Sequence, residues 1–264
     1  MIVIDDPDDP RVGIFRLRER ELSNRPQRRD DRGDGMFMAE GDLVVERALA
    51  AGCEPVVALV DRDAPPQVAA ALAARAPVYA GGDRLRAAVT QLGMPYDIVA
   101  LFERPSRPDA MHLADTATRL ILVEAVDNSV NIGSIVRNGR GLGWDGLVLD
   151  RTSADPLARR ALRVSMGHAV SFPHARVDDL AATITRLLDT GWHVHALTPV
   201  ASTRLDDITP SPRTALVVGS ERAGLSAATL AATTSHVAIE MVGGVDSLNA
   251  AAATAIACWH LRQR

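Results

Sequence analysis

The sequence predicts an α/β protein in two parts, on three observations. Short apolar runs alternate with helix-period patterns through most of the chain, as mixed layers of sheet and helix require. Its 264 residues, 47% hydrophobic and 23% charged, can bury one large core or two smaller ones. Between the halves, Glu103-Arg-Pro-Ser-Arg-Pro-Asp-Ala110 carries two prolines, mixed charge and no periodicity, the composition of a linker. The expected division is residues 1–105, a linker at 106–116, and 117–264.

In the first part, Pro55–Val60, Pro77–Ala80 and Asp97–Phe102 read as strands, with helices at Leu43–Ala51 and Pro66–Arg75. Gly41-Asp42 precedes the first helix and Gly52 follows it, as start and stop signals. The second part opens with a strand at Leu120–Ala125 and a helix from about Gly133 to Gly141. Strands follow at Gly146–Asp150, His193–Thr198, Ala215–Gly219 and His236–Met241. The helix Asp178–Thr190 is capped by Asp178 or Asp179, places Leu180, Ile184, Leu187 and Leu188 on one face, and stops at Gly191. A last helix is expected to begin at Asp246 or Ser247 and run to about Leu261. Leu248, Ala252, Ala255, Ile256 and Trp259 share its apolar face, and Arg262 and Arg264 suit its negative end.

Composition narrows the chemistry. All 29 basic residues are Arg, so there is no Schiff-base lysine, phosphate-loop lysine or lysine general base. The net charge of −4 is unevenly spread: residues 1–10 hold four Asp, whereas 11–32 hold eight Arg against four acids, a local net of +4. Such a segment can meet phosphate on a mildly acidic protein. Cys53 and Cys258 stand in no metal-ligand spacing, and neither a disulfide framework nor a metal site is expected. The acidic N-terminus lacks the features of a secretory signal, and no apolar run reaches the roughly 18 residues of a membrane span. A cytoplasmic protein without membrane contact is the expectation.

Three stretches stand where an apolar β run stops, the place where open α/β sheets carry their ligand loops. In Asn131-Ile-Gly-Ser-Ile-Val-Arg137, a capping Asn, a Gly permitting close approach and an Arg inside the helix would form an anion pocket. A capped helix with a solvated Arg explains the stretch equally well. Gly219-Ser-Glu-Arg-Ala-Gly224 places two glycines around a carboxylate, as suits a loop whose backbone touches a ligand while aiming Glu221, or a plain glycine turn. Ser247-Leu-Asn249 lies at a helix start, where Ser is most often only a cap. Separate folding needs do not readily explain all three, in order, within one domain.

Other features are less telling. Gly141-Leu-Gly143-Trp-Asp-Gly146 matches a dinucleotide fingerprint literally, but it follows a helix and leads into a strand, the reverse of the required context. His193 and His195 alternate along a strand without a Cys or carboxylate partner and read as structural. His168 follows Arg159, Arg160 and Arg163 and could face RNA. Nine aromatic residues provide few stacking platforms for single strands.

In order and spacing the three motifs resemble those of the SpoU/TrmH family, RNA ribose 2'-O-methyltransferases of the SPOUT class. Asn128, Asn131, Gly133 and Arg137 match the first motif, Gly219 to Gly224 the second and Ser247 to Asn249 the third, while Arg163-Val-Ser-Met-Gly167 is similar to a serine–glycine turn of the family. The resemblance covers the whole chain in arrangement and is most specific over residues 120–260. It implies a C-terminal SPOUT-type α/β domain with a deep trefoil knot, a smaller N-terminal α/β/α RNA-binding domain, and a homodimer. It also implies S-adenosyl-L-methionine as cofactor, held by Gly219, Ile239 and Leu248, with Leu197 and Thr198 close by. The basic loop carrying Arg25, Arg28 and Arg29, together with Arg163, would meet ribosomal RNA, or less readily transfer RNA. Arg137 would act at the 2'-oxygen, oriented by Asn131; Glu221 would hold its loop, and Ser247 with Asn249 would fix substrate and cofactor loop. Ser129, Asn138, Glu240 and Ala250 depart from the usual Pro, Thr, Pro and Val, and Glu240 loosens the expected cofactor loop. Two other readings are a non-catalytic RNA-binding protein of this fold and a nucleotide-dependent oxidoreductase, which would need a glycine fingerprint after a first strand.

Overall fold

The computed structural model describes residues 1–25, 33–91 and 93–262, so Arg28 and Arg29 lie outside the described residues. The chain forms two compact units, Met1–Ser106 with Leu157–Ser171, and Arg107–Pro156 with Phe172–Arg264.

In the first unit the elements run β1 (Ile2–Val3), α1 (Glu19–Leu22), β2 (Met36–Glu40), α2 (Asp42–Ala50), β3 (Pro55–Asp61), α3 (Val68–Ala73), β4 (Val78–Gly81), α4 (Asp83–Thr90) and β5 (Ile98–Glu103). The sheet order is β1-β4-β3-β5-β2, with β5 antiparallel to both of its neighbours. One face is a cluster of Met38, Val57, Leu59, Val99 and Leu101 packed with Leu85 and Val89 of α4 and with Val12, Phe15 and Leu22. Phe37 and Phe102 alternate to the opposite face, where their rings stack at 5.5 Å between centroids.

The second unit begins with α5 (Ala110–Thr116), β6 (Arg119–Glu124), α6 (Ser129–Gly141) and β7 (Gly146–Asp150). Asp109 caps α5, and Ala110, Leu113 and Ala114 join the core, so the segment expected as a linker is helical in its second half. The chain then leaves this unit for residues 157–171, which carry α7 (Arg159–Val164) and belong to the first unit. There Arg159 and Arg163 both pair with Glu40 at the end of β2, whose side chain is wholly buried. Arg159 also donates from its backbone N–H to Glu19 at 2.7 Å. Gly167 follows α7 at φ +80°, and a Cβ there would lie 3.1 Å from the Val44 backbone, so the turn demands glycine for conformation and for space.

On its return the chain forms β8 (His174–Val177), α8 (Leu180–Asp189), β9 (His193–Leu197), β10 (Thr203–Arg204), β11 (Thr214–Gly219), α9 (Ala227–Ala232), β12 (Ser235–Ala238) and α10 (Ala250–Leu261). All seven strands of the second sheet are parallel, in the order β10-β12-β9-β11-β6-β7-β8. Its central strands are continuous apolar runs, such as Leu120 to Val123, because both faces are covered. Helices α5 and α8 cover the side bearing Leu120, Leu122, Val194, Ala215 and Val217. On the side bearing Ile121, α6 approaches closely: a Cβ on Gly139 would stand 2.7 Å from Ile121 Cδ1. Trp144 Nε1 donates to Cys258 O at 3.1 Å, and Arg119 Nε donates to Leu261 O at 2.9 Å, fixing α10 at its carbonyl end. No helix among the described residues is long and apolar enough to cross a membrane.

Candidate functional site

From β6 the sheet grows through β7 and β8 in one direction and through β11, β9 and β12 in the other. A reversal of that kind opens a crevice outside the carboxyl ends of the strands, and all three motifs lie at such ends. At β6, Asp150 holds the exit turn. Its Oδ1 accepts from the Ala125 N–H at 3.1 Å and from the Ser153 N–H at 2.9 Å, and Ala125 is left at φ +55°. Burial pushes the Asp150 carboxyl upward, but bonds from Ser153, Thr152 and the Ala125 backbone outweigh it and leave the pKa below the ordinary carboxylate value. After that turn Asn128 caps α6 by accepting from Val130 N at 2.9 Å, which places Asn131, nearly fully buried, in the first turn.

A hydrogen-bond cycle joins the three motifs. Asn131 Nδ2 donates to Glu221 Oε1. Asn249 Nδ2 donates to Asn131 Oδ1 and to Glu221 Oε1, each at 3.0 Å. Residues 118 apart in sequence thus share one carboxylate. The Asn249 Oδ1 meanwhile accepts from Ala251 N at 3.0 Å and Ala252 N at 3.3 Å, so Asn249 rather than Asp246 or Ser247 caps α10. The sequence pointed to Ser247 as the cap because Ser commonly is one, but Asn is equally good and lies directly before the helix.

Beside this cycle is a cavity of about 430 Å³, within the range of small-molecule sites. Gly219, Ile239, Leu248, Thr198 and Leu197 all line it, as do Glu221 and Ser247. The wall formed by the second motif depends on Gly219. A Cβ there would lie 2.5 Å from the Gly224 carbonyl carbon and 2.8 Å from Leu225 N, closer than real Cβ contacts allow. Gly224, at φ +67°, returns its N–H to Ser220 O at 3.0 Å and closes the turn.

Arg137 is not drawn into this group. It lies on the exposed face of α6, about 9 Å of helix rise beyond Asn131, and makes no hydrogen bond or ion pair among the described residues. Arg25 and Arg163 belong to the first unit, and the Arg163 guanidinium is held by Glu40. His195 is buried with Nδ1 2.8 Å from Ser235 Oγ, and among the described residues no group of three or more His, Cys, Asp or Glu is placed to hold a metal.

Two contributors escaped sequence reasoning. Glu124, the last residue of β6, accepts from Ser226 N at 2.8 Å, from Ser226 Oγ at 2.8 Å and from Thr229 Oγ1 at 2.7 Å, tying down the chain just after the second motif. Its only signal was a carboxylate ending an apolar strand. Arg222 lines the cavity from a position that the motif pattern leaves open.

The chain is similar to known proteins along most of its length. A family model described as the SpoU rRNA Methylase family matches residues 118–259. An uncharacterized tRNA/rRNA methyltransferase of Mycobacterium tuberculosis is 36% identical, over 96% of this chain and 88% of its own length. The 23S rRNA (guanosine(2553)-2'-O)-methyltransferase RlmP of Bacillus subtilis is 30% identical, over 86% of this chain and 88% of its own. Among solved structures, an AdoMet-bound rRNA methyltransferase from Sinorhizobium meliloti superposes with a TM-score of 0.82 at 25% identity, over 98% of this chain and 97% of that one. The SpoU methyltransferase AviRb from Streptomyces viridochromogenes shares the fold, with a TM-score of 0.78 at 23% identity over 96% and 97% of the two chains. Because the family match spans the stretch in which the three motifs meet, and the relatives align along most of the chain, the protein belongs to the SpoU rRNA methylase family.

Proposed function

We propose that this protein transfers a methyl group from S-adenosyl-L-methionine to a ribose 2'-hydroxyl of RNA, in ribosomal rather than transfer RNA. The observation that carries the reading is the Asn131–Glu221–Asn249 cycle against the wall of the cavity. The cavity suits the cofactor: the side chains of Leu197, Ile239 and Leu248 give an apolar lining, and Gly219 leaves backbone where a side chain would otherwise stand. When bound, the cofactor supplies an electrophilic methyl group on a sulfonium.

The residues of the chain do the rest. The two amides hold Glu221 and with it the loop from Gly219 to Gly224, so the wall is organised before substrate arrives. Ser247, at the cavity edge, fixes the substrate side. Arg137 approaches the 2'-oxygen and its neighbouring phosphate, and having no partner among the described residues leaves it available for that contact. A guanidinium stays protonated in proteins, so its role is to stabilise negative charge on oxygen, not to accept the proton. RNA is gathered by Arg25, Arg28, Arg29 and Arg163. Two guanidiniums on the single Glu40 carboxylate leave a net positive charge beside the exposed Arg160. The RlmP likeness supports a ribosomal target. We assign the trefoil knot of the family to the path from β11 to α10, and a cytoplasmic homodimer to the exposed stripe of Ala252, Ile256 and Trp259 on α10.

The test is transfer of labelled methyl groups to RNA from cells lacking the protein, beside calorimetric binding of the cofactor. Arg137→Ala is expected to abolish transfer and leave cofactor affinity within a few-fold. Loss of cofactor binding in that variant would overturn the assignment of Arg137, and absence of transfer by the unaltered protein would overturn the reading.

A further inference from the structure

We propose that Arg222 docks a phosphodiester of the substrate RNA at the mouth of the cavity, an inference that rests on the RNA-methylation reading above. Among the described residues that line the cavity Arg222 is the one basic side chain, and it is exposed. Among the described residues it makes no hydrogen bond or ion pair. Many arginines of this chain are neutralised: Arg62 by Asp5 and Asp63, Arg75 by Glu54, Arg86 by Asp61 and Asp83, Arg204 by Asp206 and Glu240. The carboxylate nearest to Arg222 in sequence, Glu221, is already engaged by the amides of Asn131 and Asn249.

The position is also fixed from below. Ala223 N donates to Ser220 Oγ at 3.2 Å and Gly224 N to Ser220 O at 3.0 Å, while Gly219 is pressed against Gly224. The side chain therefore starts from a hydrogen-bonded turn and is exposed at the cavity wall. The wall also bears Glu221 and Asp246, which would repel a polyanion. A permanent cation whose planar fork matches two phosphate oxygens offsets that repulsion where the RNA must enter. The guanidinium is a positioning group for the RNA chain and takes no part in the transfer itself.

The experiment compares the unaltered protein with Arg222→Gln and Arg222→Lys, using total ribosomal and transfer RNA from cells lacking the protein. Arg222→Gln is expected to raise the KM for RNA about 3- to 10-fold, leave kcat and the cofactor Kd unchanged, and lower the salt dependence of RNA binding by about one phosphate contact. Arg222→Lys, which keeps the charge and loses the fork, is expected to fall between the two. A raised cofactor Kd with unchanged RNA KM would make Arg222 a clamp for the methionyl carboxylate and overturn the proposal. No change in either would make it a solvated charge and overturn the proposal equally. If the unaltered protein transfers nothing to either RNA, the parent reading fails first and takes this one with it.

Discussion

Asn249→Asp separates two duties that one side chain performs. The Oδ1 of Asn249 caps α10, while its Nδ2 donates to Asn131 and Glu221. Asp caps as well as Asn does, and its charge at a helix N-terminus contributes about 0.3–1 kcal/mol. The donor, however, becomes an acceptor that faces Glu221 Oε1 across a 3.0 Å contact. Two unit charges at that separation repel by about 5 kcal/mol at an effective dielectric near 20, and by about 1.4 kcal/mol in bulk water. Both side chains are exposed, so the lower figure is the better guide, yet even that exceeds what the charged cap returns. The carboxylates should therefore move apart, carrying the Glu221 loop with them. A displacement of about 1 Å in a positioning group costs on the order of 100-fold in turnover. Asn249→Ala is the control: it loses the cap, about 1 kcal/mol, but introduces no repulsion. Amide exchange at Ala251 and Ala252 should remain slow in the Asp variant and quicken in the Ala variant, while turnover should be lower in the Asp variant. Normal kcat in Asn249→Asp would refute the claim that the cycle positions the loop.

Further expectations concern the wall, the excursion and acid stability. Gly219→Ala forces a Cβ to within 2.5 Å of Gly224 backbone; a stability loss of about 1–3 kcal/mol and weakened cofactor binding should follow, and unchanged affinity by calorimetry would count against the cavity as the cofactor site. Glu40→Gln leaves Arg159 and Arg163 without their shared buried carboxylate and should destabilise the first unit by about 3–5 kcal/mol in denaturant unfolding; a change below measurement error would mean that α7 is held by apolar contacts instead. Burial lowers the pKa of His174 and of His195 to about 4, with the His193 charge adding to the effect at His195. The unfolded chain then binds protons that the folded one refuses, so stability should be full above about pH 6.5 and decline as pH falls toward 4, by on the order of 3 kcal/mol per histidine. Thermal melts that stay flat from pH 7 to 5 would contradict this.

Much of the site was legible because its signals are local. Gly219 and Asn249 each perform a task visible in a few residues, a tight turn and a cap, whereas Asn131, which the sequence offers as a cap, sits behind the cap Asn128 and gives its amide to Glu221; parallel-sheet geometry delivers the three motifs to one edge. Strands β3, β5, β6, β7 and β11 are legible for a similar reason: buried apolar runs leave little else for them to be. What escaped notice depends on partners distant in sequence. Residues 157–171 belong with the first unit through Glu40, 119 positions before Arg159, and no periodicity reports such a pairing. Strand β2 was obscured by Glu40, a buried charge that local reasoning places on the surface. Glu124 looked like a strand end until Ser226 and Thr229 folded back onto it. The expected strand to Met241 stops at Ala238, and the residues beyond it turn to line the cavity, Ile239 and Met241 among them.

The most direct test of the central claim is mass spectrometry of nucleosides from RNA methylated in vitro by the unaltered protein. A 2'-O-methylated nucleoside that disappears in Arg137→Ala, with the base unmodified, is the expected product. A methyl group on a base, or the same ribose product undiminished in Arg137→Ala, would contradict it.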